Sequence, residues 1–136
     1  MKQMEKHLDI LVLDDEPIVC ARLKPSLEKE GYRLETFTDS KLAMQRLEEK
    51  FFDIVVTDFK MPGMDGMALL KFIRKRWPET RVIIISGFAT VDVTREAFQM
   101  GVQDVIAKPF KIAQLKELIK RAAAEIKLSR SQERKP

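Results

Sequence analysis

The chain predicts an α/β domain, a parallel sheet wound on both faces by helices, and three observations carry that prediction. Short apolar runs alternate with helical stripes from end to end. The strand-like runs end abruptly on polar residues. The length, 136 residues with 45% hydrophobic and 34% charged, suits one domain around one core. Five strands alternating with five helices imply right-handed βαβ crossovers.

Residues 8–13 are the first apolar run, closed by Asp14-Asp15-Glu16-Pro17. This reads as a buried strand, an acidic helix cap and a proline in the first turn. The helix that follows carries Ile18, Val19, Leu23 and Leu27, with Pro25 expected to kink or shorten it and Gly31 to stop it. Residues 33–37 alternate as a half-buried strand near an edge, and Asp39 or Ser40 caps a helix carrying Leu42, Ala43 and Leu47. Residues 52–57 form the third strand, closed by Asp58, and a turn-rich loop leads to a helix ending near Trp77, before Pro78. Residues 81–85 are β-branched throughout after Arg81 and read as the central strand, closed by Ser86-Gly87. A fourth helix spans about 91–100, and a short strand over 104–107 ends on Lys108-Pro109-Phe110. The last helix shows a stripe of Ile112, Leu115, Leu118, Ile119 and Ala122.

Composition excludes several classes. No apolar run approaches the roughly 20 residues of a membrane helix, and mean hydropathy is −0.22. Residues 1–7 form a polar leader without the apolar core of a secretory signal. One cysteine, Cys20, fits a reducing, cytoplasmic setting and an inert buried thiol. Net charge is +4 and the pI about 9.2, but much of the excess lies in residues 127–136, read as a basic tail or the start of a linker. The domain proper is therefore 8–126, with no direct nucleic-acid contact expected of it.

The chemistry lies at the strand ends. Ligands of open α/β sheets bind at the carboxyl ends of strands where strand order reverses, which in the order 2-1-3-4-5 is between the first and third strands. Asp14 and Asp15 follow the first strand, Asp58 the third, Ser86 the fourth and Lys108 the fifth. Three carboxylates at one point repel one another and call for a hard divalent cation with oxygen ligands. A cation beside a lysine and a hydroxyl points to phosphoryl chemistry, with a carboxylate as nucleophile. Asp65 reads as turn or cap chemistry, Met61, Met64 and Met67 as loop packing, and His7 takes no role.

Four motifs in order, Leu11-Val-Leu-Asp-Asp-Glu-Pro17, Val55-Val-Thr-Asp-Phe-Lys-Met-Pro-Gly-Met-Asp-Gly66, Ile85-Ser-Gly87 and Ala107-Lys-Pro-Phe110, resemble receiver domains of two-component response regulators, the flavodoxin-like modules related to the chemotaxis protein CheY. The resemblance covers about residues 8–124. It implies Asp58 as phosphoacceptor, and Asp14, Asp15, Asp58 and the backbone carbonyl of Lys60 as ligands of Mg²⁺ or Mn²⁺. It further implies Ser86 as a switch hydroxyl, Lys108 as the phosphate-pairing cation and a cis bond before Pro109. A sensor histidine kinase or phosphotransfer protein would supply the phosphoryl group. A surface of the fourth helix, fifth strand and fifth helix, including Arg95, Phe98, Lys111 and Lys116, would act on an effector, transcription among the outputs, and a homodimer on phosphorylation is compatible with this. Such a chain is a switch rather than a turnover enzyme.

Two positions depart from the family pattern. Val105 stands where an aromatic ring is common, and a β-branched valine cannot make that ring's rotamer change. Phe88 is then a candidate relay, and it and Lys60 lie where side chains govern water's approach to the phosphoryl group. The competing reading is a Mg²⁺-dependent phosphohydrolase with an aspartyl nucleophile, which usually needs a second Asp where Lys60 stands. A metal-independent scaffold is the other.

Overall fold

A computed structural model describes residues 7–61, 63–87 and 90–133. Its strands are β1 (Asp9–Leu13), β2 (Arg33–Phe37), β3 (Ile54–Asp58), β4 (Arg81–Ser86) and β5 (Asp104–Ala107). All pair in parallel in the order β2-β1-β3-β4-β5, the order the sequence predicts. The helices are α1 (Pro17–Glu28), α2 (Ser40–Glu49), α3 (Gly66–Arg76), α4 (Val91–Gln99) and α5 (Ile112–Glu133).

The three inner strands are apolar at nearly every position because both faces are covered. Ile10, Val12, Ile54, Val56, Ile83 and Ile85 pack under α1 and α5, against Leu23, Leu27, Leu115 and Ile119. The alternate residues Leu11, Leu13, Val55, Val82 and Ile84 face α2, α3 and α4, against Leu47, Leu70, Ile73 and Ala97. Each fully buried Leu or Ile contributes about 1.5–3 kcal/mol relative to exposure. The outer strands β2 and β5 are only partly buried, as edges are.

Several local expectations need correction. α1 continues past Pro25 and ends one turn later at Glu28, because Leu23 and Leu27 hold both sides of the proline in the core. Ile18 and Leu42 are exposed; the buried stripes are Cys20-Leu23-Leu27 and Ala43-Leu47. α5 continues helically through residues 127–133, a stretch without apolar period. There Arg130 reaches under the sheet to the carboxylate of Asp53, a partner distant in sequence. Lys116 is not on the α4 side of α5: it pairs with Glu30 at 3.2 Å, on the side of α1.

Asp39 caps α2 through the Lys41 N–H, and Asp65 caps α3 through the Met67 N–H, as capping chemistry predicts. Before α3, the two-residue strands Lys60–Met61 and Met64–Asp65 pair antiparallel, a ribbon too short to read from sequence. Gly66 follows it, and a Cβ there would lie 2.1 Å from the Phe59 carbonyl oxygen, so no other residue fits without moving the segment after β3.

Candidate functional site

The parallel register brings the strand ends together. Leu13 pairs with Thr57 across β1 and β3, so Asp14 and Asp58 emerge side by side. Asp58 pairs with Ile85, and Ser86 with Ala107, which places Ser86 and Lys108 on the other flank. The Lys108 N–H donates to the Ser86 carbonyl at 2.9 Å, and the Lys108-Pro109 bond is cis.

Carboxylate oxygens of Asp14, Asp15 and Asp58 all lie within 4.8 Å of one another. Asp14 is fully buried, Asp58 is 5% exposed and Asp15 faces solvent. Lys108 Nζ approaches Asp58 Oδ2 at 2.9 Å and Asp14 Oδ2 at 3.0 Å. It also reaches Glu16 Oε1 at 2.8 Å, a fourth acid the sequence reading treated only as part of the helix cap. Its position beside Asp14-Asp15 was the available signal. Glu16 does sit at the N-cap of α1, but its side chain caps nothing there; instead its N–H donates to Asp14 Oδ1 at 2.9 Å. The Lys60 N–H donates to Asp58 Oδ1 at 3.2 Å, so the main chain of Lys60 lies against Asp58 while the side chain is exposed.

The electrostatics are lopsided. Burial pushes the Asp14 carboxyl above the usual range; the Glu16 N–H and Lys108 oppose this, and the Asp58 charge adds to it. Burial disfavours the Lys108 ammonium, but the carboxylates of Glu16, Asp58 and Asp14 outweigh it, so its pKa rises. One ammonium thus serves three acids, with Asp15 as a fourth carboxylate beside them. Two carboxylates some 4–5 Å apart repel by about 3–4 kcal/mol at an effective dielectric near 20.

A divalent cation fits this donor set. The cluster is all oxygen, and Asp14 Oδ2, though in contact with Lys108, is buried without a hydrogen-bond partner. The thiol of Cys20 is buried beneath, 3.6 Å from the Asp14 carbonyl oxygen, and burial raises its pKa, as expected of an inert thiol.

The other sequence candidates fall as follows. Ser86 is buried at the end of β4. Among the described residues, a Cβ on Gly87 would meet no atom within 4 Å, so their packing does not require glycine there. Val105 is half-buried against the α2-α3-α4 core. Phe88 lies outside the described residues, as does the side chain of Met64; Met61 and Met67 pack in the core near the ribbon. His7 contacts the Gly31 carbonyl oxygen at 2.6 Å through Nδ1, a partner not visible in sequence. On α4, Val91 is 72% and Phe98 47% exposed. An open depression lined by Asp39, Ser40 and Lys41 adjoins the cluster at Asp15.

Comparison with known proteins agrees with this architecture. The model for the response regulator receiver domain matches residues 10–120. A putative NtrX-like response regulator of Rickettsia felis is 38% identical over 126 residues, covering 91% of this chain and 26% of the relative. The DNA-binding transcriptional regulator NtrC of Escherichia coli is 35% identical over 113 residues, covering 83% of this chain and 24% of the relative. The chain therefore spans about a quarter of the length of these relatives. Among solved structures, a CheY-like receiver domain protein from Methanospirillum hungatei superposes with a TM-score of 0.85 at 28% identity, covering 91% of this chain and 99% of that one. With its sheet order, its four motifs and this match over most of its length, the chain belongs to the response regulator receiver domain family.

Proposed function

We propose that the chain is a phosphoryl-accepting switch in which Asp58 is the nucleophile. The observation that carries this is the convergence of Asp14, Asp15 and Asp58 on one point with Lys108 Nζ 2.9 Å from Asp58. A carboxylate oxygen of Asp58 attacks the phosphorus of a phosphohistidine on a histidine kinase, or of a small acyl phosphate, and the donor's nitrogen or oxygen leaves with the bonding pair. Asp14, Asp15, Asp58 and the Lys60 carbonyl would hold Mg²⁺, which when bound neutralises phosphoryl oxygens in the transition state.

The phosphoryl group adds up to about two negative charges at Asp58. Lys108 can then exchange a carboxylate partner for a phosphoryl oxygen, and the Ser86 hydroxyl can donate to another. Lys108 opens the turn after β5 and Ser86 ends β4, so both movements pull on the segment leading to α4 and on β5. Inverting an equilibrium from 1:99 to 99:1 takes about 5.5 kcal/mol. Two or three charge-assisted hydrogen bonds of about 1.5–3 kcal/mol each supply it. The surface that changes is the face of α4, β5 and the adjoining side of α5, where Val91, Arg95 and Phe98 are exposed. The NtrC-like relatives support an output on transcription, exerted through an effector rather than by this domain's own contact with DNA.

Intact mass after incubation with acetyl phosphate and Mg²⁺ tests the reading. The wild type should gain one phosphoryl group; EDTA or Asp58→Ala should abolish the gain. A gain that survives Asp58→Ala refutes the assignment of the nucleophile.

A further inference from the structure

The opposite rim of the sheet carries a second concentration of charge, and it is cationic. A cleft of about 440 Å³ opens between the end of α3, the start of β4, the turn before β5 and the last turns of α5. Arg74, Arg81 and Arg130 line it against a single lining carboxylate, Glu79, with Gln103 and Ser129 as further polar groups and Ile126 as an apolar wall. The volume lies in the range of small-molecule sites, about 300–1,000 Å³. Two of the guanidiniums are already neutralised: Arg81 donates to Glu125 at 2.7 Å, and Arg130 is paired with Asp53.

Arg74 differs. It donates to the Thr80 carbonyl, a neutral acceptor, and no carboxylate pairs with it among the described residues. Its Nε is buried without a hydrogen-bond partner. Burial, and secondarily the Arg81 charge, lower its pKa. A half-buried cation whose only partner is a neutral carbonyl is costly, and an oxyanion seated in the cleft relieves that cost by supplying the missing counter-charge. Gly101 borders the same space: a Cβ there would stand 3.7 Å from Arg74 Nη1.

We propose that this cleft binds a small oxyanion-bearing molecule, a phosphate monoester or a carboxylate, with Arg74 as its principal counter-ion. Part of the cleft comes from Ile126, Ser129 and Arg130, which lie beyond residue 120, where the family model ends. The site therefore depends on the α5 extension of this chain. It also stands apart from the acid cluster. Arg81 opens β4 and Ser86 closes it, a separation of about 17 Å at 3.3–3.4 Å per residue.

The test is a titration of ¹⁵N-labelled protein, without Mg²⁺ and at constant ionic strength, with glycerol 3-phosphate in one arm and succinate in the other. Saturable amide shifts confined to Gly101, Gln103 and Ser129, half-complete below about 5 mM, are expected in at least one arm. The arm that saturates identifies the oxyanion. Arg74→Gln, and the exposed Ser129→Asp, which adds a carboxylate to the cleft without touching the core, should each weaken binding at least about tenfold. No saturation in either arm, shifts only near Asp58 and Lys108, or undiminished binding in Ser129→Asp overturns the proposal. Phosphoryl uptake at Asp58 is unaffected by any of these outcomes, so failure here and failure of the switch reading are separable.

Discussion

β3 starts just after one aspartate and ends on another, and the two are equally buried yet oppositely situated. Asp53 and Asp58 are each 5% exposed. At the amino end, Asp53 accepts the Asp9 N–H at 2.8 Å on one oxygen and Arg130 on the other. At the carboxyl end, Asp58 has two other acids within 4.8 Å and shares one lysine with Asp14 and Glu16. Burial alone therefore says little about role. Each oxygen of both carboxylates has a donor, so what separates the two aspartates is the like charge crowded against Asp58, the kind of site a divalent cation relieves.

The largest expected effect separates the two aspartates by chemistry. Asp58→Asn should lose phosphoryl uptake from acetyl phosphate completely and keep its fold, with a urea midpoint in metal-free buffer equal to or above wild type, since a repelling charge is gone. Asp53→Ala should do the reverse. It strands Arg130 and the Asp9 N–H, costing about 3 kcal/mol, while uptake of the folded fraction persists. If Asp58→Asn proved the more destabilised of the two, the contrast between the rims would fail.

Next in size is the shared lysine. Lys108→Met leaves Asp14, Asp58 and Glu16 without their common cation. Unfolding in EDTA should show a loss of about 2 kcal/mol, mostly recovered by millimolar Mg²⁺. Adding Asp14→Asn should recover part of the same loss, because the two changes act on one cluster. Purely additive effects, unmoved by Mg²⁺, would mean that the acids do not share a cation.

How the rims could be read beforehand differs for the same physical reason. The carboxyl rim was legible because each strand announces its end with a polar residue at one edge of an apolar run: Asp14, Asp58, Ser86, Lys108. The amino rim is built from pairs distant in sequence, Arg130 with Asp53 and Arg81 with Glu125, which no local pattern links. The α5 extension was missed on that account, since its tie to the sheet is a single long-range ion pair in a stretch lacking apolar period. Glu16 was visible but assigned to the cap, because adjacency to Pro17 and to Asp14-Asp15 supports two roles and only the distance to Lys108 favours one. Lys116 was misplaced because the apolar stripe of α5 marks its buried face but not which flank of that face meets α1: it lies one residue past buried Leu115 and pairs with Glu30.

The smallest effect concerns the exposed edge, where charges are paired but wet. Glu35 on β2 receives both Arg46 Nε at 2.7 Å and Nη2 at 2.9 Å, with Lys50 Nζ at 3.5 Å. The Arg46 hydrogen bonds hold its carboxyl below the usual value. A carboxyl whose folded pKa is depressed binds fewer protons in the native state than in the unfolded one. Its stabilisation is therefore present above the unfolded pKa and lost as pH falls through the lower, folded value. Side chains this exposed keep the contribution within about 1 kcal/mol. Glu35→Gln should thus cost at most that amount at neutral pH and nothing once the pH lies well below 4.5, the ordinary value for this group. Urea midpoints of the two proteins against pH should converge on the acid side. Asp14, whose carboxyl is shifted upward by burial, runs with the opposite sign: in metal-free protein its ionisation opposes folding as pH rises. Curves for Asp14→Asn and wild type should accordingly separate on the neutral side in favour of the variant, so that two acids in one domain give pH profiles diverging in opposite directions.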